Sequence, residues 1–196
     1  MRRQHHVIYV PGILDDIYFV QSTLVRFWRF YGVRGHTHEI PWAGPEAWEP
    51  KFEKLLERID GYTAQDHTVS LVGASAGASA VLNAYAERRD SISGLAYICA
   101  KINTPDSVSS RTYAKNPAFK TSMELLQDNL KKLTPADKAK MRSFYSTGDK
   151  FVPRDANIIP DVRESRLPPL RHGRAILYSL SLGAPKLIRE LKRAAK

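Results

Sequence analysis

Residues 67–83 read HTVSLVGASAGASAVLN, from His67 to Asn83. Val69, Leu71 and Val72 form a short β-branched and aliphatic run, and from Ala76 onward the small and aliphatic residues suit a helix. The segment therefore predicts a strand, a sharp turn and a helix, with Gly73-Ala74-Ser75-Ala76-Gly77 spelling G-x-S-x-G at the junction. A turn this tight forces its central serine into a strained backbone conformation, and glycines two places to either side leave room for it. The Ser75 hydroxyl then stands clear of the sheet, beside unpaired N–H groups and the positive end of a helix dipole, a setting suited to chemistry that develops negative charge. The same small residues would also serve a turn that merely lets a helix pack closely on a sheet, so the surrounding chain has to decide.

Working outward, the pattern alternates. Toward the N-terminus, residues 5–10 predict a strand closed by Pro11-Gly12 and a loop over 12–16. A helix over 17–31 follows from Phe19, Val20, Leu24, Phe27 and Trp28, then a strand over 37–41 and a helix over 47–59 with Phe52, Leu55, Leu56 and Ile59 on one side. Toward the C-terminus come a helix over 76–88 and a continuous apolar run over 94–102, as in a strand buried on both faces. Residues 103–142 break the rhythm and predict an insertion or cap over the carboxyl ends of the strands. A strand over 143–147 follows, then an edge strand over 164–170 weakened by Pro168 and Pro169, and helices over 174–182 and 186–195. Strands alternating with helices predict an α/β fold in three layers: a mostly parallel sheet of about six strands, ordered 2-1-3-4-5-6, with helices on both faces. At 196 residues the chain is expected to form a single domain over 1–196.

A serine hydroxyl is a weak nucleophile that needs a base to take its proton and a carboxylate to hold that base in the right tautomer. In a parallel sheet such groups follow the carboxyl ends of strands. Asp149 does so in Gly148-Asp149-Lys150-Phe151-Val152-Pro153, and His172 does so after Leu170. The order Ser75, Asp149, His172 is the serine, acid, histidine order of this architecture. Asp155 and Asp161 rival Asp149, although neither immediately ends a strand. His5, His6 and His67 sit at strand entrances, the wrong end of the sheet. His36 and His38 have the i, i+2 spacing of one strand face, but zinc requires three or four ligands and no carboxylate or cysteine cluster lies near them in sequence. Asp15 and Asp16 either approach the substrate or start a helix with charges that complement its dipole. Cys99, the single cysteine, cannot form an internal disulfide and reads as a buried, reduced core thiol.

Taken together, these motifs resemble the α/β-hydrolase superfamily over nearly the whole chain. GASAG resembles the nucleophile elbow, GDKFVP the acid-bearing turn of the form D-x-x-V-P, and Arg171-His172-Gly173 the histidine loop. The resemblance aligns Pro11-Gly12-Ile13 with the loop that supplies half of the oxyanion hole, often written H-G-x, and so implies that the backbone N–H groups of Ile13 and Ala76 hold the oxyanion. Proline where histidine is common leaves a hole built from backbone intact. It further implies that the two antiparallel strands opening larger relatives are missing. The implied activity is that of a small serine esterase or lipase-like enzyme: Ser75, His172 and Asp149 cleave the acyl bond of a small molecule, most simply a carboxylic ester, through an acyl-enzyme, with no cofactor and no metal. Acyltransferase or peptidase chemistry would use the same three residues, because pocket shape selects the acceptor and leaving group.

Thirty Lys and Arg against 20 Asp and Glu give a net charge of +10. The excess is concentrated in residues 111–142, with eight basic and three acidic side chains, and in 186–196, with five against one. Aromatic residues are not interleaved with these clusters and no nucleic-acid module motif is present, which argues against nucleic acid as a partner. A solvated basic face remains, or attraction to anionic substrates or an anionic membrane surface. The other class of function is accordingly a non-catalytic binding protein that uses its basic cap and tail. No apolar run approaches the ~20 residues of a membrane span, and the run over 7–10 is shorter than the core of a signal peptide, so a cytoplasmic protein is expected.

Overall fold

The computed structural model describes residues 3–13, 18–103 and 105–194. Six strands, β1 (His5–Val10), β2 (Arg34–Thr37), β3 (Thr68–Ala74), β4 (Ile92–Ile98), β5 (Met141–Ser146) and β6 (Arg163–Leu167), form one sheet in the order β2-β1-β3-β4-β5-β6. Every neighbouring pair is parallel. The chain thus winds out in one direction from β1 to β2 and in the other from β3 onward. The carboxyl ends of β1 and β3, paired through Val10 and Gly73, flank the switch point.

Because successive strand side chains point to opposite faces, each central strand supplies two cores. Ile8, Val10, Val69, Leu71, Leu95 and Tyr97 pack with α2 (Trp48–Thr63), α3 (Gly77–Glu87) and α5 (Pro117–Lys131). Val7, Tyr9, Val72, Ala74, Ala96 and Ile98 pack on the other side with α1 (Tyr18–Arg26), α7 (His172–Leu180) and α8 (Ala184–Ala194). Three layers result. Among the described residues no helix is long and apolar enough to cross a membrane.

Several boundaries differ from the sequence reading. β2 occupies 34–37 rather than 37–41, because Gly35 lets the strand pass against α1: a Cβ there would meet the Val25 carbonyl oxygen at 2.2 Å. The buried run after α3 leaves the sheet at Ile98, since Cys99 turns it with φ of 49°. Pro168 and Pro169 fall beyond β6, whose last residue is Leu167. Residues 103–142 divide. A 3₁₀ turn (Pro105–Ser107) and α4 (Ser110–Lys115) stand at the mouth of the site, whereas α5 buries Phe119, Met123 and Leu126 beside α3 as the crossover helix of the β4–β5 connection. After α6 (Pro135–Ala139), β5 begins at Met141, so Arg142 belongs to the sheet.

Candidate active site

At the end of β3, Ser75 has φ of 51° and Gly77 opens α3. Both flanking glycines are required by space. A Cβ on Gly73 would lie 2.6 Å from the Ala78 Cα, and one on Gly77 would lie 2.1 Å from the Val10 carbonyl oxygen. Gly12, in the loop leaving β1, passes so close that its Cβ would be 2.9 Å from that of Ser75. The tight turn therefore presses the start of α3 against β1 and leaves the Ser75 hydroxyl in the open space between them.

His172 is the first residue of α7, and its Nε2 lies 3.1 Å from Ser75 Oγ. Its Nδ1 lies 2.7 Å from Asp149 Oδ2. The other carboxylate oxygen, Oδ1, accepts the N–H groups of Phe151 and Val152 at 3.0 and 2.9 Å. Burial of Asp149 would by itself favour the protonated acid. The hydrogen bonds from His172 and from the backbone of Val152 and Phe151 outweigh it and hold this carboxyl below its ordinary range. The Asp149 side chain is 0% exposed, so its charge acts on His172 with little solvent screening. The structure thus brings Ser75, His172 and Asp149 into one hydrogen-bonded line. Neither the Ile13 nor the Ala76 N–H donates to another described residue, and both residues line the hollow at Ser75.

The rival acids lie elsewhere. Asp155 is exposed in a 3₁₀ turn (Asp155–Asn157), and exposed Asp161 pairs with Lys138 at 3.2 Å. Asp15 and Asp16 lie outside the described residues. His36 and His38 join no group of three metal-ligating side chains among the described residues. Instead His36 Nε2 meets His6 Nδ1 at 2.9 Å, and the His6 ring stacks on Tyr62 and His67 at the amino ends of the strands.

Two neighbours of the site carried no readable signal. Cys99 is buried as expected, but its thiol lies within 4.8 Å of the ligand atoms of both Asp149 and His172. Burial, reinforced by the adjacent Asp149 carboxylate, pushes the thiol up, which keeps it protonated beside the carboxylate. Ser146, at the end of β5, takes the Leu170 N–H at 2.9 Å and reaches the Pro168 and Leu170 carbonyls at 2.7 and 2.8 Å. It thereby pins the loop that carries His172 to the strand that carries Asp149. Neither residue belongs to a motif, and only tertiary proximity reveals them.

No protein-family model matches the chain, and no curated protein matches it in sequence. Solved structures do. Est1E from Butyrivibrio proteoclasticus superposes with a TM-score of 0.73 at 16% identity, over 100% of this chain and 90% of that one. A monoacylglycerol lipase from Paleococcus ferrophilus gives 0.64 at 12% identity, over 97% and 95% of the two chains. A serine hydrolase involved in carbazole degradation, the CarC enzyme, gives 0.60 at 14% identity, over 97% and 91%. The chain has the α/β-hydrolase fold, one parallel six-stranded sheet with helices on both faces. At these identities the likeness speaks for the fold, and the chemistry has to be argued from the side chains themselves.

Proposed function

We propose that this protein is a serine hydrolase that cleaves carboxylic esters, with Ser75 as nucleophile, His172 as general base and acid, Asp149 as the orienting carboxylate, and the Ile13 and Ala76 N–H groups as the oxyanion hole. The observation that carries the reading is the unbroken line Ser75 Oγ, His172 Nε2, His172 Nδ1, Asp149 Oδ2, with contacts of 3.1 and 2.7 Å at a strained elbow. Ser75 Oγ attacks the ester carbonyl while His172 Nε2 takes its proton, and the carbonyl oxygen becomes an oxyanion held by the two N–H groups. Collapse breaks the bond to the alcohol oxygen, which receives the proton from His172. Water, deprotonated by the same nitrogen, then attacks the acyl-enzyme and restores Ser75. Every proton in this cycle passes through His172, so the scheme calls for no cofactor. Two of the structural neighbours bear the descriptions lipase and serine hydrolase, which agrees with the proposal.

A fluorophosphonate probe is expected to label the wild-type protein and leave Ser75→Ala unlabelled, and the variant should lose at least about 10⁴-fold in hydrolysis of short p-nitrophenyl esters. Labelling that survives in Ser75→Ala would move the nucleophile elsewhere. A wild-type protein that neither labels nor turns over any ester would overturn the reading in favour of a non-catalytic binding role.

A further inference from the structure

Two hollows meet at Ser75 and share Ile13 and Phe151 as common wall. The smaller, about 160 Å³, is partly open, with Ala76, Val108, Phe119 and Val152 as apolar walls and Lys101 at its edge. The larger, about 630 Å³, holds His172 and Ile176 together with Gln21, Arg111 and Lys115. Because His172 must return its proton to the departing oxygen, the alcohol part of an ester has to lie on the His172 side, which leaves the smaller hollow for the acyl part. A cavity of about 150 Å³ accommodates a benzene-sized guest, so an acyl part of about six carbons or one ring fills this hollow.

Among the described residues the larger hollow is one-sided in charge: two cations line it, with Thr112 and Asn116 beside them. Arg111 and Lys115 lie one turn apart on α4, and neither forms an ion pair with any described residue. Gln21 is 4% exposed; its Oε1 accepts the Tyr9 hydroxyl at 2.8 Å, and its Nε2 has no partner among the described residues. No described carboxylate lines the hollow. Arg111 and Lys115 are exposed at the rim of the hollow, and their two positive charges beside the Gln21 amide are complementary to an anion, which accepts charge-assisted hydrogen bonds that a neutral alcohol does not.

We infer that the alcohol part of the substrate carries an anionic oxygen group, a carboxylate or a phosphate, seated among Arg111, Lys115 and Gln21, and that the acyl part is short. The inference rests on the serine-esterase reading for its orientation. Two substrate pairs test it: 3-carboxyphenyl butyrate against 3-carbamoylphenyl butyrate, and the butyrate ester of glycerol 3-phosphate against glycerol monobutyrate. At low ionic strength the charged member of at least one pair should be preferred roughly tenfold in kcat/KM, since two partly solvated ion pairs combine to about that factor. The preference should shrink in high salt. In Arg111→Gln/Lys115→Gln the ratio should fall toward one, while Lys186→Gln/Arg189→Gln, which removes equal charge from α8, should retain it. Whichever pair shows the effect separates carboxylate from phosphate. A wild-type ratio of one or less in both pairs, or a ratio that the Arg111/Lys115 variant does not change, would overturn the inference.

Binding of 3-hydroxybenzoate and glycerol 3-phosphate to Ser75→Ala, compared with 3-hydroxybenzamide and glycerol, reads the same preference without turnover. Anion binding without ester cleavage would sink the esterase reading and, with it, the assignment of the anion to an alcohol part, leaving only an anion site at Arg111 and Lys115. Cleavage without charge preference would sink only the inference.

Discussion

Asp149 shows how much depends on one atom's identity. Its Oδ1 is fixed by the Phe151 and Val152 N–H groups, so the remaining oxygen can only face His172 Nδ1. Asp149→Asn would leave the two backbone donors holding the amide oxygen and turn the amide N–H₂ toward His172. The imidazole would then have to accept at Nδ1 and carry its proton on Nε2, the wrong tautomer for a base directed at Ser75. We expect kcat to fall about 10³- to 10⁴-fold with little change in thermal stability, measured by steady-state kinetics alongside melting curves. A loss below tenfold would remove Asp149 from the proposed mechanism. Ser75, Asp149 and His172 stand out in the sequence because each sits in a short motif at a strand end. Cys99 and Ser146 do not, because each gains its significance from a partner many positions away, Asp149 in one case and Leu170 in the other.

Among the elements, the β3–α3 turn is the most constrained by steric exclusion. Gly77→Ala would place a methyl 2.1 Å from the Val10 carbonyl oxygen and 2.6 Å from that of Pro11, both backbone atoms with little freedom to yield. The expected cost is about 1–3 kcal/mol, with an accompanying loss of the proposed esterase activity as the loop holding Ile13 is displaced. Gly61→Ala, within α2 and with nothing near its added Cβ, should instead stabilise by about 0.5–1 kcal/mol. Denaturant titration of the two variants checks both signs, and equal effects would refute the steric account. Element type was legible wherever apolar period and length agreed, as in α2, α3 and β3. Position was less so: β2 is short and polar, and only the fold shows its register on β1, with Val7 opposite Gly35. The amphipathic pattern of α5 marks a helix yet cannot say whether that helix covers the sheet face or its rim.

Across the whole molecule, histidines gather along β1 and β2: His5 and His6 at the amino end of β1, His36 within β2 and His38 just past its carboxyl end. His5, His6, His36 and His38 are lowered from 6.5 to about 4, in each case first by burial. Positive groups add to it: Lys192 beside His5, Arg34 and the other imidazoles beside His6, Arg58 and Arg34 beside His36, and Arg58 and Lys54 beside His38. Between pH 4 and 6.5 the unfolded chain binds more protons than the folded one, so stability is complete above about 6.5 and declines as pH falls toward 4. Each histidine contributes at most about 1.4 kcal/mol per pH unit, less where solvent reaches it. Melting curves should show Tm level from pH 7 to 8 and falling steadily from 6.5 to 4, with a shallower fall in His6→Gln/His36→Gln. A level Tm down to pH 4 would refute the assignment.

The strand–turn–helix at Ser75, the alternating α/β order and the succession of serine, acid and histidine were set by local chemistry: apolar period, glycine spacing and the residues that end strands. What the local pattern could not settle was which groups meet across the fold. The unpaired donors around the larger hollow, the thiol beside Asp149, the serine that anchors the histidine loop and the stacked imidazoles all join segments far apart in the chain. Their contacts depend on how the layers pack, because hydrogen bonds and charges act over a few ångströms of space, whatever the separation along the sequence.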